Sequence, residues 1–180
     1  GVQTCALPIS ASASLLNLTA LTYRLDAQQH WEPSLTDIKA KIDEARSQGI
    51  EPRVIVVINP GNPTGACMTR AEVEDMIKLA HRESLAIFAD EVYQDNVYNK
   101  DRPFVPFRRV LMELQNSQDA SEREIGSSVE LVSFHSTSKG MVGECGRRGG
   151  FFVLNNMDAE VEAQINKVVS MSLCPPTQGQ

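Results

Sequence analysis

Four short segments of this chain gather residues that could do chemistry together. Asn59-Pro60-Gly61-Asn62-Pro63-Thr64-Gly65 surrounds Asn62 with two prolines and two glycines, so a carboxamide is presented on a tight, stiff path. Asp90-Glu91-Val92-Tyr93 sets a carboxylate and a phenol on one short turn. Ser136-Thr137-Ser138-Lys139-Gly140 puts an amine after three hydroxyl residues and ahead of Gly140, Gly143 and Gly146. Gly146-Arg147-Arg148-Gly149-Gly150 holds guanidinium groups between glycines, where such a group can grip a phosphate bidentately. Each segment alone has an ordinary reading. A proline-glycine loop connects elements, an aspartate at a strand end often caps a helix, and most lysines are solvated.

Together the groups describe one ligand. Desolvation or nearby positive charge would lower the pKa of Lys139 and make it a nucleophile able to form a Schiff base with an aldehyde. Asp90 would keep a pyridine nitrogen protonated. Tyr93 and Asn62 would hydrogen-bond a ring phenolate. Ser136 and Ser138 supply hydroxyls for a phosphate, with an arginine as the cation. An aldehyde, a pyridine, a phenolate and a phosphate on one molecule are pyridoxal 5′-phosphate, and a lysine with an aspartate partner is its usual protein setting.

The elements that must position these groups read clearly. Residues 54–58 (VIVVI), 85–89 (LAIFA), 129–134 (VELVSF) and 150–154 (FFVL and its leading glycine) are short apolar runs. The first two lack polar alternation and are expected as strands buried on both faces. Ser34-x-x-Asp37 and Thr69-x-x-Glu72 have the spacing of capping boxes. They open helical stripes made by Leu35, Ile38, Ile42 and Ala45, and by Val73, Met76, Ile77 and Ala80. Residues 107–115 read as a further helix, 116–128 as an exposed polar loop, and Tyr23-Arg24-Leu25 as a short strand. Asp158 is expected to cap a last helix with Val161, Ile165 and Val168 inward. Strands alternating with helices argue for an α/β fold, a three-layer, mainly parallel sheet. In such sheets ligands sit at the carboxyl ends of the strands, where the first three chemical segments fall.

Composition narrows the classes of function. The chain has 180 residues, 17 basic and 23 acidic, for a net charge of −6, which would repel nucleic acid and anionic membrane overall. No apolar run approaches the roughly 18 residues that span a bilayer. Cys5, Cys67, Cys145 and Cys174 are far apart, without the spacing of a zinc site or a disulfide scaffold, so no metal is expected.

NPGNPTG, ADEVYQDNVY and SFHSTSKGMVGECGRRGG resemble the fold-type-I PLP-dependent aminotransferases, and within that family its alanine aminotransferase branch. The resemblance runs from about Trp31 to Gln180. It implies the partial large domain of such a transferase, with Lys139 as the Schiff-base lysine and proton-transfer base. Asn62, Asp90 and Tyr93 would lie on the PLP ring, and Ser136, Ser138 and Arg148 on its phosphate. Arg148 is preferred to Arg147 because the family pattern is Gly-x-Arg-x-Gly; the role of Arg147 stays open.

The implied activity is transfer of the amino group of L-alanine to 2-oxoglutarate, giving pyruvate and L-glutamate. The implied partners are small amino and 2-oxo acids, with a homodimer as the working form and a cytoplasmic, mitochondrial or peroxisomal location rather than secretion. Two alternatives stand beside it: a glutamate:glyoxylate aminotransferase, which shares these motifs, and a non-catalytic fragment or binding module. The opening GVQTCALPIS lacks a starting methionine and periodicity and reads like translated adapter, so residues 1–10 are expected to be foreign and 11–180 to be the partial PLP-binding domain. The upstream phosphate loop and the carboxylate-binding arginine of the family are missing, so the chain alone is expected to be inactive.

Overall fold

The computed structural model describes residues 7–28, 30–147 and 149–172, and divides the chain into two compact units, Gly1–Pro52 and Arg53–Gln180. The first unit holds helix α1 (Leu7–Leu15), a minimal antiparallel pair β1 (Leu25–Asp26) and β2 (Glu32–Pro33), and helix α2 (Leu35–Ser47). The short strand expected at residues 23–25 thus begins two residues later. Only half of the first capping box forms. Ser34 Oγ accepts from the Asp37 N–H at 3.2 Å, but the Asp37 carboxylate accepts from the Arg24 N–H instead, at 3.0 Å. Ile38, Ile42 and Ala45 are buried as the stripe requires. Gly49, at φ +77°, ends the helix in a left-handed turn, where Ile50 N–H reaches Ala45 O at 3.0 Å.

The second unit is an α/β layer built on a four-stranded sheet in the order β3 (Val54–Ile58), β4 (Ala86–Asp90), β5 (Leu131–Ser136), β6 (Gly150–Asn155). The first two pairings are parallel and the last antiparallel. β3 coincides with its apolar run, whereas β4 and β5 start and end one and two residues later than theirs, which makes Asp90 and Ser136 the last residues of their strands. Helices α3 (Arg70–Glu83), α4 (Phe107–Gln115) and α5 (Ala120–Ser128) pack with one another, and α3 and α4 also pack on the strands. The second capping box is complete: Glu72 N–H reaches Thr69 Oγ1 at 3.3 Å and Thr69 N–H reaches Glu72 Oε2 at 2.8 Å. Val73, Met76 and Ile77 of α3 and Phe107, Val110 and Leu111 of α4 are fully buried with Ile87 and Ala89 of the sheet.

Three expectations fail for physical reasons. Burial alternates along β3 and β4 instead of being uniform, because these helices cover one face. On the other, Phe88, Phe134 and Phe152 form a half-buried aromatic row with ring centroids 5.5 and 6.2 Å apart. Residues 116–128 are not a plain loop. Asp119 accepts from the Ser121 N–H at 2.7 Å and caps α5. Helix α6 (Ala159–Ser172) is capped by Asp158 as expected, but Val161 and Val168 are 46% and 57% exposed rather than inward. An apolar stripe announces a face to be covered without saying what covers it.

Helix α5 depends on one glycine. A Cβ at Gly126 would lie 2.4 Å from Gln115 N and 2.8 Å from the Leu114 carbonyl carbon, both backbone atoms at the end of α4. Gly126→Ala is therefore expected to destabilise the protein by about 3 kcal/mol, as overpacking against a rigid neighbour does. Urea unfolding checks this; a change within about 0.5 kcal/mol would show that the two helices part easily.

Candidate active site

Three adjacent parallel strands deliver three loops to one end of the sheet. The loop after β3 is closed by Gly61 N–H to Ala66 O at 2.8 Å and Gly65 N–H to Gly61 O at 2.9 Å, and both of its Asn–Pro bonds are cis. Asn59 anchors it. This fully buried residue donates its backbone N–H to Asp90 O at 3.0 Å, and its Oδ1 accepts from Met68 N–H at 2.9 Å. The result presents Asn62, whose Nδ2 donates to the Tyr93 hydroxyl at 3.2 Å.

Asp90 ends β4 on the sheet face opposite the helices, and its carboxylate accepts from the Val92 N–H at 3.3 Å. Burial pushes its pKa up from the ordinary 3.8, against the pull of that N–H and of the Lys139 ammonium. Glu91 points the other way, as alternation along the chain requires. It is buried, its Oε1 accepts from the Phe107 N–H at 2.8 Å, and burial, with the Asp90 charge adding to it, raises its pKa from 4.5.

The loop after β5 carries Lys139, whose Nζ lies 5.9 Å from the centroid of the Tyr93 ring. Lys139 is exposed, and its ammonium faces the opposite charge of the Asp90 carboxylate. Gly140, at φ +62°, packs against the turn after β4: a Cβ there would meet Asp95 Oδ2 at 3.0 Å. The Ser136 hydroxyl is engaged in the turn, donating to Gly149 O at 3.3 Å and accepting from Ser138 N–H at 3.1 Å. Thr137 Oγ1 donates to the same Gly149 carbonyl at 3.0 Å. Arg148 lies outside the described residues; Arg147 pairs loosely with Glu144 at 3.7 Å.

The structure thus brings Asn62, Tyr93, Lys139 and Asp90 to one end of the sheet, with Ser136 and Ser138 on the neighbouring turn. Sequence reasoning passed over Asn59 and Glu91. Each adjoins or lies near a selected residue, yet sits on the helix-covered side, where a polar group needs a stated reason to be buried.

Because Asp90 and Glu91 have raised values in the folded state, the fold binds more protons than the unfolded chain between the ordinary and the raised pKa. Stability therefore falls as pH rises through that window, beginning near 3.8 for Asp90 and 4.5 for Glu91. In cofactor-free protein, Glu91→Gln is expected to flatten part of that fall. A pH series of denaturant midpoints reads it, and parallel curves for the two proteins would contradict it.

A mainly parallel sheet that gathers a lysine, a carboxylate, a phenol and a carboxamide at its strand ends has the architecture of a fold-type-I transferase. The chain belongs to the aminotransferase class I and II family, whose pattern matches residues 8–180. Alanine aminotransferase 2-like from Danio rerio is 45% identical over 171 residues, covering 95% of this chain and 30% of that protein. Glutamate–glyoxylate aminotransferase 1 from Arabidopsis thaliana is 42% identical over 171 residues, covering 95% and 34%. An aminotransferase from Escherichia coli has the same fold, with a TM-score of 0.70 and 29% identity over 91% of this chain and 36% of its own. The chain spans about a third of the length of these relatives. Among the described residues no helix is long and apolar enough to cross a membrane.

Proposed function

We propose that the complete protein is a PLP-dependent transaminase that moves the amino group of L-alanine to 2-oxoglutarate, giving pyruvate and L-glutamate. The observation that carries the cofactor in this reading is the approach of Asn62 to the Tyr93 hydroxyl at 3.2 Å with Lys139 Nζ beside the same ring, and the alanine substrate is supported by the 45% identity to an enzyme named for it. Two neutral donors beside an amine suit a ring oxygen next to an aldehyde, and a carboxylate at the neighbouring strand end suits a pyridinium. The donor set fits pyridoxal 5′-phosphate.

When bound, that cofactor supplies an electron sink for the charge left at an amino acid's α-carbon. The residues do the rest. Asp90 would hold a proton on the ring nitrogen. Asn62 and Tyr93 would donate to the ring oxygen. Lys139 Nζ would hold the aldehyde carbon and serve as the base for the α-proton. Ser136, Ser138 and Arg148 would hold the phosphate. Residues 11–180 form part of the large domain, and the working enzyme is a homodimer.

A second reading, glutamate:glyoxylate transamination, is favoured by the 42% identity to an enzyme of that name. The purified complete protein is assayed for pyruvate from L-alanine and 2-oxoglutarate, and for glycine from L-glutamate and glyoxylate. Faster pyruvate formation supports the first reading, faster glycine formation the second. Neither product, with cofactor added, overturns both.

A further inference from the structure

Residues Val92–Pro106 leave the end of β4 and return to the start of α4 with no strand or helix of their own. A stretch of this length whose ends meet needs a fastening at its neck. Glu91 supplies it. Its N–H donates to Phe134 O at 3.1 Å, which ties it to β5. Its carbonyl accepts from Gln94 N–H at 3.0 Å and so opens the turn that carries Tyr93, and Asn96 N–H to Tyr93 O at 2.8 Å continues that turn. Its carboxylate reaches the far end of the segment and accepts from Phe107 N–H at 2.8 Å. Phe107 is the first residue of α4, and the residue before it, Pro106, offers no side-chain cap, so the buried donor has Glu91 as its partner. A carboxyl group held at 6% exposure is an expensive choice for a cap that a serine could provide at the surface.

We propose that Glu91 is a positioning residue: a clasp that closes the Val92–Pro106 loop at its neck and thereby sets the Tyr93 hydroxyl against Asn62. The proposal rests on the cofactor reading above. The Tyr93 turn also abuts the lysine loop, since a Cβ at Gly140 would lie 3.0 Å from Asp95 Oδ2 and 3.6 Å from Val92 O. A second tie, Arg102 to Glu72 at 3.0 Å, holds the middle of the loop to the cap of α3 and leaves the neck to Glu91. The acceptor's reach, rather than its charge, is what the clasp uses, so the two conservative substitutions separate. Glu91→Gln keeps the reach and Glu91→Asp shortens it by one methylene.

The experiment uses the complete protein loaded with pyridoxal 5′-phosphate, in Glu91→Gln and Glu91→Asp variants, each alone and with Tyr93→Phe. The readouts are the cofactor dissociation constant and the pH midpoint of its visible band, which senses hydrogen bonds to the ring oxygen. Glu91→Asp is expected to weaken cofactor binding about tenfold, the scale of one good hydrogen bond. It should also move the midpoint in the same direction as Tyr93→Phe and add nothing in the Tyr93→Phe background. Glu91→Gln is expected to keep the parent midpoint. A parent-like Asp variant, or a full added shift on top of Tyr93→Phe, overturns the clasp. Amide exchange across Val92–Asn96 in cofactor-free protein decides the same question without the cofactor. Faster exchange in Asp than in Gln supports the clasp, and equal exchange overturns it. Absence of any visible band in the parent overturns the cofactor reading instead.

Discussion

Replacing Lys139 by alanine in the complete protein is expected to lower transamination by about ten-thousandfold or more while leaving the fold intact. Lys139 is exposed, and its amine lies 5.9 Å from the centroid of the Tyr93 ring. Surface substitutions of this kind change stability by about 0.5 kcal/mol or less, so a loss of folding will not explain the loss of rate. The rate has two reasons to fall. On the proposed function the amine would be both the nucleophile that holds the aldehyde and the base that moves the α-proton, a role worth about a hundredfold to ten-thousandfold by itself. Lys139→Arg separates charge from chemistry, because a guanidinium keeps the cation but stays protonated and has no free amine. Both variants should be dead with alanine and 2-oxoglutarate. Turnover within about tenfold of the parent in the arginine variant would show that Lys139 serves only as a positive charge.

Asp90→Asn should likewise separate rate from stability. A carboxamide oxygen can still accept from the Val92 N–H, so the end of β4 keeps its local bond. The carboxylate that is lost was held in the structure against the cost of burial. The asparagine variant is therefore expected to be at least as stable as the parent near pH 7. Its catalytic barrier should rise by about 3 kcal/mol, a rate loss of roughly a hundredfold, since a neutral amide cannot keep the ring nitrogen protonated. Cofactor binding is expected to survive in part through Asn62, Tyr93 and the residues proposed for the phosphate. Near-normal turnover would reduce Asp90 to a cap on the turn that follows it.

The strands and the two capped helices were legible because their signals are local. β-branched runs such as residues 54–58 exclude helix, and Ser34 and Thr69 announce the turn they open. The candidate site was legible for a related reason: strand ends are where such sheets bind ligands, and Asn62, Asp90, Tyr93 and Lys139 stand at or just after the ends of β3, β4 and β5. What one sequence could not show is contact across the fold. Helix α5 looked like loop because serine and glutamate fill most of it around a glycine, whereas in the structure that glycine is the residue that fits against α4. The same holds for the meeting of Asn62 and Tyr93, 31 residues apart, which depends on β3 and β4 being neighbours. The half-covered aromatic row and the outward valines of α6 belong here too. Periodicity shows which side of an element is apolar, and only the packed molecule shows what that side meets. Glu91 was hidden by its neighbours: between Asp90 and Tyr93 it reads as a solvated charge, and only its burial against α4 gives it a task.

The central claim, that the amine of Lys139 carries the cofactor, is tested most directly by borohydride reduction of the PLP-loaded complete protein, followed by digestion and mass spectrometry. The account predicts one reduced pyridoxyl group per chain, on the peptide that contains Lys139, and its disappearance in Lys139→Ala. A pyridoxyl group fixed on another lysine, such as Lys100 in the loop that carries Tyr93, would contradict it.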